Sequence, residues 1–301
     1  MKHAEMKHAA PAVPAKTGGK RSAGKSGKKG GRTVVIVFLV IFIGGFLFGA
    51  FMLGKTLLTA MREQGTFDDL HGIVDGVEDG DDLSENGTLR KYDPLYEKNK
   101  DFFGWLKIEG TKIDYPVMYR PGDSEYYLHH DFYGDYSESG MLFIDGDCPY
   151  DSNYYLIYGH HMRNGSMFGN LPDYGDYEFY KKHKTVFFDT RFERRDYEVC
   201  AVFYSEVYDR KDEAGKFCYY NVKDIRSKEK FDEYVANIKQ KSIYDTGVTP
   251  KFGDQLITLS TCNYHTEDGR FVVVARQVKQ EKKEPETTAP SSSSATVKPV
   301  E

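Results

Sequence analysis

The sequence predicts a mainly β domain, a closed or nearly closed barrel, preceded by one apolar segment long enough to cross a membrane. Three observations carry this. Between residues 89 and 279, short runs of large apolar and β-branched residues recur about every ten residues, separated by turn formers. Only one stretch there keeps a clear helical period: after the N-cap candidate Ser227, residues Phe231, Tyr234, Val235 and Ile238 fall at i, i+3, i+4 and i+7. Finally, residues 33–53 run for about 21 positions without a charge, enough to span ~30 Å of hydrocarbon as a helix. No internal repeat is visible.

The chain has 301 residues and a formal net charge of −5, which permits one ordinary domain with extensions. Residues 1–32 are different: rich in Lys and Arg among Ala, Gly, Ser and Pro, with Glu5 the only acid. Such a segment cannot bury enough apolar surface to fold alone. A nucleic-acid-binding arm is one reading, and the apolar run that follows argues against it, so no nucleic-acid partner is expected. Phe51-Met52-Leu53 is a poor cleavage site for a signal peptide, which favours an uncleaved anchor over residues 33–54. Positive charge precedes the anchor and Asp68, Asp69, Asp75 and Glu78 follow it, so the N-terminus is expected in the cytoplasm and the rest outside. Residues 55–88 read as an acidic linker or stalk, with a marginal amphipathic helix between 57 and 70 as the alternative. The folded domain is expected over residues 89–279, and 280–301 as a polar Pro/Ser/Thr tail.

Within the domain, residues 96–101 read as a helix end leading into a strand at 102–108, closed by Glu109-Gly110-Thr111. A second strand follows at 113–118, with Pro116 expected at its edge or start. Short apolar segments at 126–128 and 141–145 precede a strand at 154–158 that ends on Gly159-His160-His161. Then come a short helix at 179–184, strands at 185–189 and 197–208, a weaker strand at 217–221 and the periodic helix. Leu256, Ile257 and Leu259 mark a buried strand ending at Ser260-Thr261-Cys262; after the turn formers of 263–269, residues 271–275 form the last strand. Cys262 thus stands where one core strand ends and Arg270 where the next begins. Neighbouring strands lie about 5 Å apart, so the thiol and the guanidinium can face one space. A cysteine needs a positive neighbour or a base to become a useful nucleophile.

Each candidate has a plainer reading. Of four cysteines, Cys200 and Cys218 lie in apolar runs and read as buried inert thiols, and Cys148 reads as loop-borne. Pairing outside a cell would allow three connectivities, but the spacing is not that of a disulfide scaffold. Cys262 alone could equally be a core thiol. Among nine histidines, His3, His8, His71 and His183 are expected to be non-catalytic, and one of His129 and His130 to pack. His160 and His161 follow a buried strand and a glycine, where a ring can project into a cleft. His265, three residues after Cys262, raises a zinc site with His160 or His161, but a second ligand pair is missing and no metal is expected. The acidic clusters at 79–82 and 145–151 lack the regular ligand spacing of a calcium loop and read as solvated turns.

These residues carry a resemblance. Thr258-Leu259-Ser260-Thr261-Cys262, followed by an arginine at the next strand start, resembles the TLxTC signature of sortases. Tyr158-Gly159-His160, with Met162 and Gly165-Ser166-Met167-Phe168-Gly169, is similar to the histidine region of class B sortases. Gly104-Trp105-Leu106, Tyr115-Pro116-Val117 and the long helix before the Cys262 strand fit the same class. The Pro/Ser-rich tail departs from it. The resemblance implies a sortase-type barrel with short helices and one longer helix before the last strands. It also implies a cofactor-free cysteine transpeptidase with Cys262 as nucleophile, His160 as acid and base, and Arg270 as oxyanion donor. His161 competes for the His160 role; Ser260 and Thr261 would shape the substrate pocket. The implied partners are surface proteins with a C-terminal sorting signal and an amine of a cell-wall precursor or pilin. A thiol peptidase that only hydrolyses and an inactive β-barrel binding module are the alternatives.

Overall fold

The computed structural model describes residues 29–78, 82–123, 125–263 and 266–278. The expected tail at 280–301, most of the basic segment and His265 lie outside them. The chain divides into two units, residues 1–57 and 58–301. The first holds most of the apolar part of helix α1 (Lys29–Asp75), the one helix among the described residues long and apolar enough to cross a membrane.

The second unit is an eight-stranded closed barrel in the order β1-β2-β3-β4-β7-β8-β6-β5. Its strands are β1 (Phe102–Lys107), β2 (Asp114–Tyr119), β3 (Leu142–Ile144), β4 (Tyr154–Tyr158), β5 (Thr185–Thr190), β6 (Asp196–Glu206), β7 (Leu256–Cys262) and β8 (Gly269–Val278). Closure removes the exposed edges that an open sheet would have to protect. Strands β4 and β7 are nearly all buried, and β7 takes Thr258, Ser260 and Thr261 into the interior along with its apolar residues. Pro116 is mid-strand, not terminal; β3 begins its pairing only at Val117, so Pro116 lies just beyond that ladder.

Helices α2 (Asp93–Lys98), α3 (Tyr177–Lys182) and α4 (Lys228–Lys241) surround the barrel. In α4 the Ser227 hydroxyl accepts from the Lys230 N–H, and Phe231, Tyr234, Val235 and Ile238 are buried. Tyr234 joins this helix to the core of β7 through its hydroxyl and Thr258 Oγ1, 2.6 Å apart.

Three expectations need correction. Residues 219–221, within the weaker strand expected at 217–221, form a 3₁₀ turn: the aromatic residues supply β-like composition, but tertiary packing of Tyr219 decides the backbone; the apolar segment 126–128 is likewise a 3₁₀ turn. The stretch read as a linker is helical as far as Asp75 and buries Phe67 and Leu70; Phe67 packs edge-on against Tyr115 with ring centroids 4.9 Å apart. Asp145 is not a solvated turn residue. It is buried, and its carboxylate accepts from Lys223 Nζ at 2.5 Å and from the Tyr158 hydroxyl at 3.3 Å.

Candidate active site

Strand register brings the three expected residues to one level. Cys262 on β7 pairs directly with Arg270 on β8, and opposite residues of an antiparallel pair present their side chains to the same face. On the other side, β7 runs parallel to β4, with Tyr158 level with Ser260. His160 stands two residues beyond Tyr158 and Cys262 two beyond Ser260. The chain therefore carries His160, Cys262 and Arg270 abreast at the ends of three neighbouring strands. All three line a cleft of about 290 Å³, with Leu128, Tyr158 and Tyr219 among its other walls. A larger cleft of about 680 Å³ around Cys218 and Asn237 contains none of the three.

Local bonds hold the strand ends. Gly159 N–H donates to the Ser260 carbonyl at 3.2 Å, and Thr261 Oγ1 donates to the Gly159 carbonyl at 2.7 Å. Ser260 Oγ lies 2.7 Å from the Tyr219 hydroxyl. Both Ser260 and Thr261 line the cleft, but their hydroxyls are committed to these bonds and both residues are buried. Gly159 is required by space: a Cβ there would sit 2.4 Å from Leu142 Cδ2 and 2.7 Å from Phe168 Cδ2.

His160 Nε2 is 2.8 Å from the Leu128 carbonyl, which can only accept, so this nitrogen carries the proton. Nδ1 is left as the nitrogen free to exchange one. The His129 ring lies beside it, with centroids 5.6 Å apart. Arg270 Nη1 donates to the carbonyls of Asp268 at 3.2 Å and Gly269 at 3.0 Å. These bonds fix the guanidinium against the backbone at the start of its own strand.

The other cysteines differ in setting. Cys148 lies on a loop, as expected, but is buried, and burial pushes its thiol up to about 11. Cys200 is buried too, pushed up to about 12 for the same reason, and donates to the Val274 carbonyl at 3.3 Å. Cys218, expected to be buried in a strand, is half-buried at the start of a 3₁₀ turn. Protonated thiols are poor nucleophiles, so Cys148 and Cys200 are ill suited to the chemistry. Among the described residues, no group of three or more His, Cys, Asp and Glu side chains is placed to hold a metal. Two histidines have structural work: His71 Nε2 donates to the Asp114 carbonyl, and His183 Nδ1 to that of Glu109. What residue types alone did not reveal is the Leu128 carbonyl, a backbone acceptor contributed by a turn 32 positions from the histidine.

A cysteine, an imidazole and a guanidinium thus line one cleft at the rim of a closed barrel, residue types suited to acyl transfer through a thioester. Comparison with known proteins makes this specific. The Sortase domain family model matches residues 106–278. A Listeria monocytogenes sortase B is 31% identical over 244 residues, covering 79% of this chain and 94% of its own length. A Staphylococcus aureus sortase B is 26% identical over 251 residues, covering 82% and 96%. Among solved structures, Bacillus anthracis sortase B in complex with AAEK1 superposes with a TM-score of 0.63 at 29% identity, covering 74% of this chain and all of that one. The chain belongs to the sortase family, as a class B member and a cysteine transpeptidase.

Proposed function

We propose that the enzyme cleaves a C-terminal sorting signal in surface proteins and transfers them to an amine, with Cys262, His160 and Arg270 as its catalytic residues. The observation that carries this is the register that sets the three abreast along one cleft. The Cys262 sulfur, as thiolate, attacks the scissile carbonyl carbon, and the C–O π electrons move to oxygen. Arg270 donates to that oxyanion, a donor aimed at charge that develops in the transition state. Collapse of the tetrahedral species breaks the C–N bond, and His160, as the imidazolium paired with the thiolate, gives its Nδ1 proton to the leaving amine. A thioester on Cys262 results. The incoming amine, of a cell-wall precursor or a pilin, attacks the thioester while His160 takes its proton, and the thiolate leaves. Ser260 and Thr261 hold the cleft floor rather than performing chemistry.

The apolar helix anchors the enzyme as a single-pass membrane protein, its basic N-terminus in the cytoplasm and its barrel outside. Protease added to wall-stripped cells is expected to digest the barrel; survival of the barrel until lysis would reverse that orientation. The catalytic reading is tested by incubating the enzyme with a sorting peptide, with and without an amine acceptor. Cleavage with a new amide product is expected when the acceptor is present. Hydrolysis alone under both conditions would leave only a thiol peptidase.

A further inference from the structure

One face of helix α1 is linked to the catalytic histidine through hydrogen bonds and close backbone packing. Glu63, Phe67 and Leu70 stand at i, i+4 and i+7, so they share a face. Phe67 and Leu70 are buried against the barrel, which holds that face in place. Glu63 Oε1 then accepts from the Ser137 hydroxyl at 2.8 Å, the Glu138 N–H at 3.0 Å and the Ser139 N–H at 3.3 Å. Three donors on one carboxylate oxygen is the pattern of a built clamp, since charge-assisted bonds are the strong ones. Ser137 and Ser139 are only 3% and 1% exposed, so the clamped turn is part of the interior.

The clamped turn is pressed against the segment that supports His160. Ser137 N–H donates to the His129 carbonyl at 3.0 Å, and Met141 N–H to the Tyr127 carbonyl at 2.9 Å. Between them Gly140, at φ +55°, approaches so closely that a Cβ would lie 2.4 Å from the Tyr127 oxygen and 2.5 Å from the Leu128 oxygen. The Leu128 oxygen is the acceptor of the His160 Nε2 proton. The turn at 137–141 therefore brackets the one peptide whose carbonyl fixes the histidine ring.

We infer that Glu63 is a positioning residue for catalysis: through the 137–141 turn it fixes the Leu128 carbonyl, and through that carbonyl the orientation and tautomer of His160. This rests on His160 being the acid and base of the transfer. Misplacing a catalytic group by a fraction of an ångström to one ångström can cost up to about 10²-fold in rate.

The test uses the full-length protein in detergent, with kcat expressed per Cys262 alkylated, counted by peptide mass spectrometry so that the half-buried Cys218 is excluded. Glu63→Ala is expected to lower that kcat by roughly ten- to a hundredfold while KM for the sorting peptide changes by less than about twofold. Glu63→Gln keeps an amide oxygen at the same reach and is expected to retain most of the rate. Should Glu63→Ala fail to fold, Glu63→Asp, which keeps the charge but withdraws the oxygen by one methylene, carries the same loss of kcat. An unchanged kcat per titrated thiol in Glu63→Ala would overturn the inference, as would Glu63→Gln as slow as Glu63→Ala. With His160→Ala inactive, either result refutes only the clamp; an active His160→Ala refutes the acid–base assignment itself.

Discussion

Cys262 and Arg270 are held by the barrel wall, whereas His160 is held by a loop. The first two are directly paired residues of β7 and β8, and Arg270 is paired on its other side with Ser205 of β6. His160 lies just past the end of β4, and its ring depends on one carbonyl from the 126–128 turn. Backbone ladders are indifferent to most single side-chain changes, while a loop carbonyl depends on every contact that holds the loop. In the proposed mechanism the nucleophile and oxyanion donor are thus set by register and the acid–base group by tertiary packing. Substitutions distant from the cleft are expected to act chiefly through the histidine.

The largest effect expected inside the wall is at Arg270. Lysine would keep the charge but lose the planar fork that can bond a substrate oxygen while tied to the Asp268 and Gly269 carbonyls. Arg270→Lys is expected to lower kcat on the order of 10²-fold, as for loss of an oxyanion donor. Steady-state kinetics with one sorting peptide measure this. Near-wild-type kcat in Arg270→Ala would remove the residue from the mechanism.

A smaller effect sharpens the contrast from the loop side. Gly159→Ala would drive a methyl into Leu142 and Phe168, and overpacking of this kind costs about 1–3 kcal/mol. The Phe168 N–H also donates to the His160 carbonyl at 3.0 Å, so relief of the clash moves the histidine segment. Thermal melts and kcat measured together should both fall. A lower melting temperature with unchanged kcat per folded molecule would show that the histidine segment is not coupled to this packing.

The smallest effect concerns the remaining thiols. Burial raises Cys148 and Cys200 from the ordinary 9.0 to about 11 and about 12, so the folded chain holds both protons more tightly than the unfolded chain. Their contribution to stability is intact below about pH 9 and is lost as pH rises through the folded-state values. Native alkylation near neutral pH, read by peptide mass spectrometry, is expected to label Cys262 and the half-buried Cys218 and to spare the other two. Early labelling of Cys200 would contradict the packing around β6.

What the sequence made legible follows the same division. Apolar runs, turn formers and one helical period were sufficient for the barrel and for α4, because burial on both faces leaves a strong pattern in each strand. Cys262 and Arg270 could be placed opposite one another because a short turn between two strands fixes their register. The clamp on His160 could not be read in this way. Its acceptor is a backbone atom that no residue type announces, and Glu63 lies in a stretch whose glycines and acids read as a linker. Likewise Asp145 resembled a surface turn because its partner Lys223 is 78 positions away. Aromatic composition misled at 219–221, where packing overrides β-propensity.

Covalent chemistry at Cys262 is the most direct test of the proposed mechanism. Mixing the enzyme with a sorting peptide in the absence of an amine acceptor, then quenching in acid, allows the intact protein to be weighed by mass spectrometry. The expected result is a mass gain equal to the acyl fragment of the peptide, mapped to Cys262, released by hydroxylamine and absent from Cys262→Ala. Peptide cleavage by Cys262→Ala at a rate comparable to the unaltered enzyme, or an acyl group mapped to another residue, would contradict it.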